Sequence, residues 1–330
     1  MPQLLRAHPG GRHRAQGHAR PRPGRRADRG LPGAPRRRAR AGGRPRAQAA
    51  RAQGDLGRAA RLRRARGRAL RRAARRRRVL RAVGPPRRRG GPDVSTLSLH
   101  RRQDLARDGA ALVADLDDPR RQAAAALRWA VETFGEGFVV ASSMADAVLV
   151  HLASSVAPGV EVLFLDTGYH FAETLGTRDA VATAYPVEVS TVLPLLSVEQ
   201  QDARFGPDLW ARDPDACCAI RKVEPLERAL SGYAAWASGM RRDEAVTRRA
   251  IDVVGWDARR GLVKLNPLAA WTEDDVARYA DEHGVLVNPL RQIGYASIGC
   301  EPCTRPVAPG EDGRAGRWAG TGKVECGLHA

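Results

Sequence analysis

The sequence predicts an α/β protein: a parallel sheet with helices on both faces, followed by a mobile C-terminal arm. Three observations carry this. The run Phe138–Ala141 is short, continuous and apolar, as a strand buried on both faces is, Val160–Leu165 reads as the next buried strand, and Val187–Val192 as a further strand. Helical patterns alternate with them, which is the order of βαβ units. All five cysteines stand at Cys217-Cys218, at Cys300 and Cys303 and at Cys326, so the fold must bring distant segments together.

The first 93 residues have a different composition. They hold 31 Arg against three acids, with no Lys, no Ile and no Phe, Trp or Tyr, a net of +28; the whole chain is +20, so the remainder is −8. The basic character therefore belongs to the leader alone. Too poor in large apolar residues to offset its ordering entropy, residues 1–93 are expected to be disordered. An Arg, Ala, Gly and Pro mixture without a motif reads as an upstream region translated from a start placed too early, in preference to a phosphate-binding tail. It has no apolar core of a secretory signal, and no stretch of the chain is apolar enough to span a bilayer. The expectation is a cytoplasmic protein with neither nucleic-acid nor membrane partner.

From Val94 an α/β domain is expected to run to Cys303. Leu105, Leu112, Val113 and Leu116 recur at helical spacing, and Gln122 to Phe134 forms a second helix. The strand at Phe138 runs into Ser142-Ser143-Met144-Ala145-Asp146 and a helix from Ala147 to Ser155. Backbone amides and a helix N-terminus there suit an anion, with Ser142 and Ser143 as the binding residues. Val160–Leu165 ends at Asp166-Thr167-Gly168, beyond the carboxyl end of a strand, where ligands of open α/β sheets bind. A helix from about Phe171 to Ala184 leads to the strand Val187–Val192. Asp213-Pro214-Asp215 starts a helix that carries the cysteine pair and Lys222 and runs to Leu230. A strand from Ala234 to Ser238 delivers Gly239-Met240-Arg241-Arg242, with Arg248 shortly after, and planar guanidinium groups so placed make a dianion clamp. Trp271-Thr272-Glu273-Asp274-Asp275 opens a capped helix through Glu282. Residues 304–330 form the arm; up to Lys323 they are rich in Pro, Gly and charge and are expected to be mobile.

Four cysteines have the character of metal ligands. Cys300 and Cys303 reach one soft centre from a tight turn, and Cys217 with Cys218 would complete a four-thiolate site for zinc or an iron–sulfur cluster. Neighbouring side chains on a helix diverge by about 100°, a poor fit to one small ion and a better one to the separate corners of a cubane. Cys326 is left over. Glu325 and His329 flank it, Gly327 frees the backbone, and Lys323 and Arg317 supply charge that favours a thiolate nucleophile.

The pair Cys217-Cys218 with Arg221-Lys222, the Cys300/Cys303 turn, the terminal Glu325-Cys326-Gly327-Leu328-His329, Leu165 to Phe171, Gly239 to Arg242 and Asn266-Pro267-Leu268 together resemble the assimilatory adenylylsulfate reductases, from about Phe138 to Ala330. The resemblance implies an adenine nucleotide alpha-hydrolase-like fold, one 4Fe-4S cluster on Cys217, Cys218, Cys300 and Cys303, and Lys222 between cluster and substrate. It implies adenosine 5′-phosphosulfate as substrate, with the Asp166-Thr167-Gly168 loop beside the nucleotide and the chain working in sulfate assimilation and cysteine biosynthesis. Met144-Ala145 stand where the nucleotide loop of that fold often has glycines, which speaks against ATP cleavage. With four cysteines on a cluster only Cys326 is free, so the two reducing electrons come from an external dithiol such as thioredoxin. Cys326 is expected to form an S-sulfocysteine, with Lys222 and His329 assisting. A 3′-phosphoadenylylsulfate reductase, which typically lacks the cluster cysteines, and a zinc-bearing tRNA-thiolating enzyme are the alternatives.

Overall fold

The computed structural model describes residues 97–329. The leader, with the expectations of disorder and of an early start, lies outside the described residues.

Six strands form one sheet: β1 (Phe138–Ala141), β2 (Val160–Leu165), β3 (Val187–Val192), β4 (Ala235–Ser238), β5 (Val254–Asp257) and β6 (Leu262–Leu265), in the order β3-β2-β1-β4-β6-β5. All neighbours are parallel except β5 and β6, which pair antiparallel with Val254 opposite Leu265. The expected parallel sheet is thus mixed at one edge. Two apolar runs joined by a turn closed by Gly261 at φ 66° make that hairpin. From β1 the chain builds outward through β2 and β3, then returns to lay β4 on the other side. A crevice opens at the carboxyl ends of β1 and β4, as at any such reversal.

Helices cover both faces. Val139 and Val140 are both fully buried on opposite sides of the sheet, Val140 with Leu127, Phe134 and Val150, and Val139 with Leu226, Leu230 and Trp236. The first face is covered by α1 (Leu99–Ala114), α2 (Pro119–Phe134), α3 (Val148–Val156), α4 (Ala172–Ala184) and later α8 (Glu273–His283). Ser98 caps α1, Asp118 caps α2 ahead of Pro119, and Thr272 and Asp275 form a capping box on α8. Leu105 and Val113 face the core as expected, whereas Leu112 is 51% exposed and Leu116 lies past the end of α1. α1 lies so close to α2 that a Cβ on Gly109 would stand 2.5 Å from the Trp129 ring.

After α5 (Val198–Phe205), the cysteine-bearing helix is not continuous. It runs as α6 (Pro214–Cys218), a π turn over Ala219–Val223 and α7 (Glu224–Leu230). Pro225 has no amide to give the carbonyl four residues back, and the wider turn accommodates that loss.

The segment expected to be mobile is docked. Thr304 and Arg317 form an isolated antiparallel bridge within it, the Trp318 amide donates to the Cys303 carbonyl at 2.9 Å, and Trp318 is buried. Leu328 packs on the Trp236 side of the core. Pro and Gly dominate this stretch by number, but one buried indole anchors it. No helix among the described residues is long and apolar enough to cross a membrane.

Candidate active site

A cavity of about 230 Å³ lies at the crevice between β1 and β4. Ser142 and Ser143 reach it from the end of β1, Thr167 from β2, Arg241 from β4, and Cys326 and His329 from the arm; Lys222, Arg248 and Cys300 also line it. Leu149, Leu163, Met240 and Leu268 give it an apolar wall. Three expected binding residues lie outside the lining. Asp166 accepts the Gly168 amide at 3.0 Å and so shapes its own turn. Arg242 points outward, its Nε donating to the Ile251 carbonyl at 2.9 Å.

The loop after β1 differs from a phosphate cradle. Ser142 N donates to Leu163 O, Met144 N to Ser142 Oγ, Ala147 N to Leu286 O, and Val148 N to the Asp146 carboxylate at 3.0 Å. With these four amides taken internally, and the start of α3 capped by a carboxylate, the side-chain cations of the cavity carry the greater part of its attraction for an anion. Met144 takes a left-handed backbone at φ 60° while fully buried, the conformation that glycine adopts at least cost.

The cations divide into two sets. Arg241 is held by Asp243 at 3.0 Å and Glu273 at 2.6 Å; Arg248 is held by Glu244 at 2.6 Å and Glu325 at 2.7 Å. Among the described ion pairs none involves Lys222 or Arg317. Arg317 donates to Ser297 Oγ at 3.1 Å and leaves a buried Nε without a partner. Burial alone would push the Lys222 ammonium down, but the sulfurs of Cys300, Cys218 and Cys326 outweigh it and raise its pKa. Lys222 and Arg317 are therefore the cations available to an incoming anion.

Behind Lys222 lies a small hollow lined by all four expected ligand cysteines, Cys217, Cys218, Cys300 and Cys303, together with Tyr169 and Arg221. All are free thiols. The Cys300 turn is tied to the β2 loop: the Glu301 amide donates to Tyr169 O at 2.7 Å, and Thr167 Oγ1 lies 3.3 Å from Cys300 Sγ. Burial and the other sulfurs push Cys217 up to about 12 and Cys303 up to about 11. Such crowding is relieved when a metal centre takes the sulfurs as thiolates. Arg221, buried over the Tyr169 ring at 4.9 Å, has Nε and one terminal nitrogen without hydrogen-bond partners, a charge that an anionic thiolate-bound group would balance. The donor set is all sulfur, so the residues fit a soft centre. No three His, Cys, Asp or Glu side chains among the described residues converge on a single ion position.

His329 stacks on Trp236 with ring centroids 5.7 Å apart and planes 11° from parallel. Its pKa is pushed well down, by burial first and then by Lys264, Arg248, Arg260 and Arg314, so the imidazole is neutral.

The phosphoadenosine phosphosulfate reductase domain family matches residues 137–306. The adenosine 5′-phosphosulfate reductase of Streptomyces coelicolor is 63% identical over 203 residues, 62% of this chain and 86% of that protein. That of Mycolicibacterium smegmatis is 55% identical over 237 residues, 72% of this chain and 98% of that protein. The chain belongs to the adenosine 5′-phosphosulfate reductase family. It is an oxidoreductase acting on a sulfur group. A crystal structure of phosphoadenylyl-sulfate reductase from Candida auris, a phosphate complex, shares the fold with a TM-score of 0.51 and 28% identity, over 64% of this chain and 98% of that one.

Within this reductase-family site the structure adds residues that the sequence reading passed over. Arg314 and Trp318 line the cavity from the arm beside Arg317, which was expected there only as a charge near Cys326, and Trp236 carries His329. A signal for Arg314 and Trp318 existed: two arginines three apart, the second followed by Trp, shortly before the terminal motif. The surrounding Pro and Gly concealed it.

Proposed function

We propose that this chain reduces adenosine 5′-phosphosulfate to sulfite and AMP, with Cys326 as nucleophile and an external dithiol protein such as thioredoxin as reductant. The observation that supports this most is the meeting of Cys326 with Lys222 and Arg317, two cations free of carboxylates, in one cavity at the sheet's crevice. The Cys326 thiolate attacks the sulfate sulfur, and the sulfur–oxygen bond to the phosphate breaks. AMP leaves with that electron pair, and Cys326 carries a sulfonate. One thiol of the dithiol then attacks Cys326 Sγ and expels sulfite. The second resolves the mixed disulfide, so the dithiol is oxidised by two electrons and Cys326 is restored. Lys222 and Arg317 offset the repulsion between thiolate and sulfate, as pre-positioned charge does in a transition state. Ser142, Ser143 and Thr167 flank the nucleotide.

The four-cysteine hollow suits one 4Fe-4S cluster held by Cys217, Cys218, Cys300 and Cys303. Such a group supplies an anionic iron–sulfur centre behind Lys222. In this reading the α/β domain spans residues 94–303, and the arm carrying the nucleophile spans 304–330.

The test is a single turnover without reductant. Wild-type protein mixed with adenosine 5′-phosphosulfate is expected to release one equivalent of AMP and gain one sulfonate on the peptide containing Cys326. Cys326→Ser is expected to do neither while binding iron as before. An adduct on another residue, or turnover by Cys326→Ser, rules out the reading.

A further inference from the structure

We infer that Arg248 serves the arm and not the substrate: with Glu325 it forms a latch that seats Cys326 over the cavity. The inference rests on the reading of Cys326 as nucleophile, but its geometry stands independently. Arg248 meets Glu325 as a fork, Nε donating to Oε1 at 2.8 Å and one terminal nitrogen to Oε2 at 2.7 Å. Its other terminal nitrogen donates to Glu244 at 2.6 Å, so each guanidinium nitrogen is bound to a carboxylate of the chain. Thr247 Oγ1 donates to Glu325 Oε1 at 3.1 Å, and Arg314 donates to Oε2 at 3.1 Å and to the Val324 carbonyl at 2.9 Å. Charge-assisted, two-pronged contacts of this kind fix orientation as well as adding energy, and here they are partly shielded from water.

The contact lies one residue before the nucleophile. Gly327, at φ 76°, turns the chain immediately after Cys326, and His329 then rests on Trp236. On the other side, Lys323 pairs with Asp215 at the start of the cysteine-bearing helix. Cys326 is thus suspended between fixed points, and Glu325 is the nearest of them. The latch also tunes the cavity's charge. Closed, it neutralises Arg248 and part of Arg314 and leaves Lys222 and Arg317 to the substrate; open, it exposes Cys326 to a partner thiol.

The test reads arm seating without any turnover. Full-length protein is treated with a bulky maleimide, and labelling of each cysteine is followed by peptide mass. Glu325→Gln, which keeps shape but loses charge, and Arg248→Glu are each expected to label Cys326 at least tenfold faster, with labelling of Cys217 and Cys218 unchanged as the sign of an intact fold. The exchanged pair Arg248→Glu/Glu325→Arg is expected to recover protection, and raised salt to accelerate labelling in the wild type. Unchanged Cys326 labelling in both single variants overturns the latch, as does failure of the exchanged pair to recover. These outcomes are independent of whether Cys326→Ser turns over, so failure of the latch and failure of the nucleophile assignment are read separately.

Discussion

His329 gives the arm a pH dependence whose sign can be worked out. Its pKa in the folded protein lies below the ordinary 6.5, because burial and the surrounding cations disfavour the imidazolium. The undocked state binds the proton more readily, so docking is fully stabilised above about pH 6.5 and weakens as pH falls toward the folded value. Protection of the arm from proteolysis is expected to fall through that window, and to fall less in His329→Phe, which keeps the stack but cannot titrate. Glu325 fails only at lower pH: burial raises its carboxyl, but the hydrogen bond and charge of Arg248, with Arg314, hold it below the usual range. Lys222→Ala is expected to slow single-turnover AMP release by about 10²-fold or more, with Lys222→Arg recovering part. The two cysteine pairs and Lys222 could be picked out in the sequence because the spacing within each motif is local, and the fold brings them to one hollow. Arg248 was legible as an arginine near the site but not as Glu325's partner, since the two are 77 positions apart and nothing in either segment marks the pairing.

At the scale of elements, β1 and β2 were readable because short runs rich in apolar residues admit few other structures, whereas β3, Val-Glu-Val-Ser-Thr-Val at a sheet edge and only partly buried, was readable from its place in the β–α alternation. The β5–β6 hairpin was not. Gly255 and Lys264 interrupt its two apolar runs, and it lies at a sheet edge where the requirement for apolar residues is weaker. The break in the cysteine-bearing helix depends on Pro225, whose effect on the preceding turn is a matter of backbone geometry and not of hydrophobic pattern. Packing of α1 on α2 offers a clean check. Gly109→Ala forces a methyl against the Trp129 ring and is expected to destabilise the protein by about 1–3 kcal/mol, read as a lower melting temperature.

For the whole molecule, a chain beginning at Val94 is expected to retain the full reductase activity, since all site residues and their supporting strands lie beyond that point; loss of turnover in the shortened chain would give the Arg-rich leader a role. The site is expected to favour adenosine 5′-phosphosulfate over its 3′-phosphorylated form, which a comparison of kcat/KM for the two would check. One small feature has a large reach. Gly299 stands directly against the Arg317 guanidinium, and a single methyl there would displace it. Gly299→Ala is therefore a candidate separation-of-function allele: a cell carrying it would assemble the sulfur-rich half of this enzyme and yet depend on supplied sulfite to grow.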